Sequence, residues 1–271
     1  AWLGWRFGGR SLALLSCLCF LYLAVFGQWA SAMITLSSIL VAVPVGVAVG
    51  TALGILAHRH ETFAAIIRPV LDLMQTVPVF AYLVPVLFLF GFGPVSAMIA
   101  TIIYAMPPMV RVTMLALRGV APEIVEFGNM TGCTPRQMLW RILLPTARPS
   151  LMVGVNQVIM LSLNMVIIAS MIGAGGLGRD VLTSLRRLAI GDGLEAGLAI
   201  TLLAISLDRL SQAFVTRQKQ PLHMELDKGF LARHATGSVF AALMLAGFAV
   251  AAIAPSIALY PQSMVIDTGP F

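Results

Sequence analysis

Apolar residues in this chain fall into seven long blocks, at 11–26, 33–57, 77–92, 95–117, 147–172, 196–215 and 235–259, parted by short polar breaks. Most are close to the ~20 residues that carry a helix across hydrocarbon. Lipid offers no hydrogen bonds, so a lone spanning segment satisfies its backbone as an α-helix. The pattern predicts an all-α integral membrane protein with about six core transmembrane helices and one extra C-terminal helix. Residues 63–74 are amphipathic rather than uniformly apolar. The breaks divide the chain into an N-terminal helix (1–32), a core (33–216) holding a polar segment at 123–145, and a linker with an extra helix (217–271). That tail predicts continuation into a longer chain. So does Ala1, which is neither a methionine nor the start of a signal-peptide pattern.

Interruptions inside the blocks carry the next layer of meaning. Gly46, Gly50 and Gly54 recur every four residues and share one helix face, as expected where two helices pack with backbones close. Pro78 and Pro85 interrupt the third block, and Pro107-Pro108 should kink or end the fourth helix. Gln75, Thr76 and Tyr82 are polar groups at or within the third block. Asn156, Gln157, Ser162 and Asn164 lie within the fifth. A polar side chain facing hydrocarbon is costly, so these face either other helices or a polar path through the bundle. Asn156 and Asn164, eight apart and near one face, are the first choice for such a path, with Gln157, Gln75 and Tyr82 beside them.

Composition agrees with this pattern. Hydrophobic residues make up 59% and charged residues 10% of the 271, and the mean hydropathy is +0.94; a soluble domain carries about 25% charged residues. The net charge of +6 reads as basic residues held at one membrane face rather than as a nucleic-acid surface. If the segment around 126–145 is cytoplasmic, only Arg179, Arg186 and Arg187 of the 17 basic residues fall outside. The positive-inside bias therefore puts the N-terminus in the cytoplasm. Those three arginines sit in a Gly-rich loop (173–194) with an amphipathic centre, suited to an interfacial helix or an acidic partner surface. Cys17, Cys19 and Cys133 form no metal or disulfide framework, and His58 and His60 read as solvated turn residues beside Arg59. With no phosphate-binding loop and no convergent catalytic set, the chain reads as a non-enzyme. An ion-coupled secondary transporter of small amines is the alternative class. It calls for acids inside the spans, where this chain has almost none; Asp72 and Asp208 lie near span ends.

The polar segment EFGNMTGCTPRQMLWRILLP (126–145) stands between two strongly apolar blocks. Thr134 ahead of Pro135 predicts a helix N-cap with proline at the first helical position, and Gln137 three residues on completes a capping box. The segment reads as helix, tight turn, helix, lying on the membrane surface.

Glu126, Gly132 six residues later, Ile142 ten after that, then Leu144 and Pro145 resemble the coupling motif of ABC importer permeases. Phe127 and Gly128 depart from it, since the family prefers two alanines there. The stretches LDLMQTVPVFAYLVPVLFLFGFG (71–93), IIYAMPPMVRVT (102–113), GVNQVIMLSLNMVIIASMIGAGGLG (154–178) and LAISLDRLSQA (203–213) resemble glycine betaine/proline permeases and their choline and trimethylamine N-oxide relatives. The resemblance spans about 33–215. It implies a MetI-like type I fold in a bacterial inner membrane and a permease pair, with a homodimer expected. ATPase subunits would dock on the cytoplasmic face and hold the ATP and Mg, leaving no cofactor in this chain. An extracytoplasmic binding protein would deliver solute. It assigns Glu126, Gly132, Arg136, Ile142, Leu144 and Pro145 to ATPase coupling.

Overall fold

The computed structural model describes residues 2–218, and no strand occurs among them. The expected linker and seventh span lie outside the described residues. The helices are α1 (Trp2–Val25), α2 (Trp29–Arg59), α3 (Glu61–Thr76), α4 (Val79–Phe90), α5 (Pro94–Arg118), α6 (Pro122–Met130), α7 (Pro135–Gln137), α8 (Leu144–Ala169), α9 (Leu177–Arg187) and α10 (Ile190–Gln218). Wide π-helical turns at Met138–Leu143 and Ser170–Ala174 bracket α8.

Small residues build the centre, where α2, α5 and α8 meet. A Cβ on Gly50 would lie 2.7 Å from Met109 Cβ, and one on Gly54 would lie 2.5 Å from Thr113 Cβ. On the α8 side, a Cβ on Gly154 would come within 2.8 Å of Met109 Sδ. Between lipid-bathed helices no hydrophobic force drives association, so dispersion at such short range supplies the attraction. Gly46 completes the α2 stripe with a looser fit, 3.5 Å from Val158 Cγ1.

Around this centre, α1 lies against α10, with Cys19, Leu23, Ala199 and Leu203 buried in one cluster. The Tyr22 hydroxyl donates to the Glu195 carbonyl at 3.3 Å. A glycine-rich entry clamps α9 across α2: the Leu177 N–H donates to Thr35 Oγ1 at 3.1 Å. Gly176 has φ +84°, and a Cβ there would meet Thr35 Oγ1 at 2.5 Å. Only glycine supplies both that backbone and that closeness.

The structure corrects the expected spans in several respects. Four described helical runs are long and apolar enough to cross a membrane, or five if α3 and α4 form one bent span; Gly9–Val25 is a shorter apolar helix. The third block is thus the second half of a broken pair, with α3 and α4 meeting at 101°. Pro78 explains the break, because it has no N–H to offer the Met74 carbonyl one turn back. The Tyr82 hydroxyl donates to that carbonyl instead, and its ring stands edge-to-face on Tyr104 with centroids 5.8 Å apart.

Pro107-Pro108 does not end α5, which runs on to Arg118. Pro107 is fully buried within the bundle, and packing against α2 and α8 holds the helix where two backbone bonds are missing. The second arm of the polar segment and the fifth block are also one helical run, Pro135–Ala169. Its π turn at Met138–Leu143 comes just before Pro145 and widens the helix where the proline ring would crowd the preceding turn.

Candidate functional site

The segment after α5 folds as two short arms around a fixed turn. Pro122 starts α6, with Glu123 in its first turn. At its end the Cys133 N–H donates to the Gly128 carbonyl (3.1 Å) and the Gly132 N–H to the Asn129 carbonyl (3.0 Å). These two bonds are the Schellman closure, with Gly132 at φ +71° in the left-handed position the motif requires. The second arm opens on a complete capping box. The Gln137 N–H donates to Thr134 Oγ1 at 3.4 Å, and the Thr134 N–H to Gln137 Oε1 at 3.0 Å. Glycine closure and threonine cap together fix the angle between the arms without a hydrophobic core at the turn.

The base of the segment is packed. Met138, Leu139, Leu143 and Ala147 are buried with Ala116, Leu117 and Val120 from the end of α5, and Ile142 and Leu144 flank them. The second arm is therefore packed against the end of α5 and the start of α8. Gly128, at one of the positions where the sequence departs from the coupling motif, is buried here. A Cβ on it would lie 2.6 Å from Met138 Cε and 2.7 Å from Ile142 Cδ1. Met138 thus occupies the room an alanine would use. The outer side is apolar and open: Met130 is 84% exposed, Phe127 65% and Trp140 60%. Glu126, Arg136 and Pro145 are exposed with them, whereas Ile142 and Leu144 are half-buried.

The polar groups expected along a path are distributed unevenly. Asn156 is half-buried and accepts from the Ser211 hydroxyl of α10 at 2.6 Å. Gln157 and Asn164 are exposed and seven residues apart, on one outward face of α8 that also carries Val153 and Met160. Gln75 is exposed at the end of α3, and Tyr82 is half-buried with its hydroxyl turned to Met74. Nearby, Arg111 pairs with Asp72, and Arg118 with Glu61 at 2.7 Å, fastening α3 to α5. His58 belongs to the last turn of α2 rather than to a solvated turn, and its Nδ1 is buried without a hydrogen-bond partner among the described residues. No described group of three or more His, Cys, Asp or Glu could hold a metal.

Several participants were not singled out from sequence. Met109, Thr113 and Gly154 are ordinary residues in an apolar helix until their partners are known. Thr35 carries no periodic signal. Gly128 was noted only as a departure from the motif, although Met138 with Ile142 ten and fourteen residues on is the pair that explains it.

Comparisons with known proteins agree with this architecture. A family model described as binding-protein-dependent transport system inner membrane component matches residues 42–220. The trimethylamine N-oxide transport system permease protein TmoV of Ruegeria pomeroyi is 46% identical over 231 residues, 85% of this chain and 35% of that protein. The glycine betaine/proline betaine transport system permease protein ProW of Escherichia coli is 44% identical over 213 residues, 79% of this chain and 60% of that one. The glycine betaine transport system permease protein OpuAB of Bacillus subtilis is 41% identical over 217 residues, 80% and 77% respectively. The chain thus spans about a third of TmoV and three fifths of ProW. An inward-facing MetNI methionine ABC transporter structure matches with a TM-score of 0.61 at 20% identity, covering 69% of this chain and 94% of the other, which establishes a shared fold. With the family model covering most of the packed helices and the polar segment at 126–145, the chain belongs to the binding-protein-dependent transport system inner membrane components.

Proposed function

We propose that this chain is the transmembrane permease subunit of an ATP-driven importer of small quaternary or tertiary amine osmolytes, such as glycine betaine, proline, choline or trimethylamine N-oxide. The observation that carries the proposal is the coupling segment: two arms set at a fixed angle, open and apolar outside, packed into α5 and α8 at the base. A cytoplasmic ATPase subunit receives those arms and holds the ATP and Mg. When two such subunits close, the arms move and the α2–α5–α8 unit tilts as one body, the rigid-body class of alternating access.

Two further features support the reading. The outward face of α8 carries Gln157 and Asn164 with no hydrogen bond among the described residues. Such amides are costly against lipid, so a second copy of the chain covers them, with a solute path between the copies. An extracytoplasmic binding protein supplies solute to that path. The amine class is supported by the relatives, which are trimethylamine N-oxide, glycine betaine/proline betaine and glycine betaine permease proteins. The ion-coupled alternative is not favoured, because Asp72, Glu61 and Asp208 are engaged by Arg111, Arg118 and Gln212.

Gly132→Val tests the proposal. A β-branched residue is disfavoured at φ +71°, while a Cβ there meets nothing within 4 Å. Membrane insertion should persist while solute-stimulated ATP hydrolysis and uptake by the reconstituted transporter fall together by at least tenfold. Normal uptake by a well-inserted variant would remove the coupling role.

A further inference from the structure

A cleft of about 650 Å³ opens between the α2–α3 elbow and the second arm of the coupling segment, within the ~300–1,000 Å³ range of small-ligand sites. His58, Arg59 and His60 line it from the elbow, and Thr134 and Arg136 from the arm. Met138, Leu139, Trp140 and Leu143 supply the apolar lining, and no carboxylate is among the lining residues. Neither Arg59 nor Arg136 forms an ion pair among the described residues. That separates this cleft from the neighbouring one lined by Arg68, Asp72, Arg111 and Arg118, where two guanidiniums are already paired.

We propose that this cleft binds the headgroup of an anionic phospholipid. Two guanidiniums, two imidazoles and a hydroxyl line the cleft with no carboxylate among them, so the complementary ligand is an anion rich in acceptor oxygens. The apolar lining and the place of the cleft point to a lipid as its source. The cleft lies between the ends of two runs long and apolar enough to cross a membrane, Trp29–Arg59 and Pro135–Ala169, and span ends lie toward the membrane–water interface. Trp140 is 60% exposed beside it, and tryptophan favours that interface. Basic pockets between helices at a membrane face are suited to lipid phosphates. One wall of the site is the coupling segment's second arm, so a bound headgroup would brace the elbow against that arm. It needs only the membrane setting and stands whether or not the transported solute is an amine.

Fluorescence of Trp140 tests the assignment directly. The full chain, with Trp2, Trp5 and Trp29 changed to Phe, would be reconstituted into phosphatidylcholine nanodiscs containing brominated phosphatidylglycerol or, in parallel, brominated phosphatidylcholine. At equal bromolipid content, at least twofold stronger quenching by phosphatidylglycerol is expected. R59Q/R136Q should abolish that preference, whereas R59K/R136K should keep most of it. R186Q/R187Q, which removes two arginines from α9, should leave it unchanged. An equal melting midpoint for R59Q/R136Q and its parent separates lost binding from lost folding; if the double variant unfolds, the parent's preference between the two lipids decides alone. Equal quenching by the two lipids would overturn the proposal. So would displacement of the preference by millimolar inorganic phosphate, which would make the ligand a soluble anion.

Discussion

In the α2–α5 seam, Gly54 has ordinary helical backbone and no room; in the coupling segment, Gly132 has open room and a left-handed backbone. A substitution at Gly54 meets Thr113 Cβ and the Val110 carbonyl, neither of which can swing away. A substitution at Gly132 meets no neighbour and is opposed only by its own torsion angle. The seam therefore stores its specificity in interhelical distance, and the coupling segment stores it in local conformation. A permease reading gives these separate uses: the seam keeps three helices moving as one body, and the segment keeps a fixed shape for whatever grips it.

The strongest challenge to this contrast is a paired substitution. Gly54→Leu should destabilise the detergent-solubilised chain by about 3 kcal/mol, the upper range for overpacking. Gly132→Leu should cost about 1–2 kcal/mol, the penalty for one left-handed residue. Melting midpoints of the two purified variants give the comparison, and equal shifts would erase the distinction between space and torsion.

A smaller effect is expected at the α3–α4 break, where local and tertiary causes can be separated. Tyr82→Phe leaves the Met74 carbonyl without its donor and should cost about 1 kcal/mol. Pro78→Ala restores the backbone N–H that could serve the same carbonyl, so Tyr82→Phe should cost measurably less in that background. A double-mutant cycle on thermal stability provides the number. Additive effects would mean that the hydroxyl does not stand in for the missing backbone bond.

The smallest effect belongs to the exposed edge of α3. Arg111→Gln and Arg118→Gln each break an ion pair with an acid on α3, and pairs this exposed contribute about 0.2–1 kcal/mol. Their effect should fade as salt rises, whereas that of Gly54→Leu should not. Stability measured in low and high salt sharpens the contrast between a charged edge and a packed seam.

Proline shows where reading the chain residue by residue succeeds and where it stops. Pro78 breaks a helix at a place with few packed neighbours, so the local rule holds. Pro107 and Pro108 leave α5 continuous because α2 and α8 enclose it; the local rule is the same, and the surroundings overrule it. Pro145 follows a π turn inside a run that continues to Ala169, so two expected elements became one. The amides behaved likewise. Asn156 and Asn164 looked alike on a helical wheel, yet one meets Ser211 and the other faces outward.

Sequence by itself determined the helical class, the membrane as solvent, the stripe at Gly46, Gly50 and Gly54, the capping box at Thr134 and the place of the turn at Gly132. Each of these is a matter of composition, period or a bond between residues three to six apart, and such terms are complete within a short stretch of chain. Only the tertiary structure decided which surfaces the stripe meets, which prolines bend their helices, why Gly128 lies beneath Met138, and that Arg59 and Arg136 share a cleft. Those outcomes depend on atoms brought together from distant parts of the chain, and an interaction between two surfaces has no signature in either surface alone.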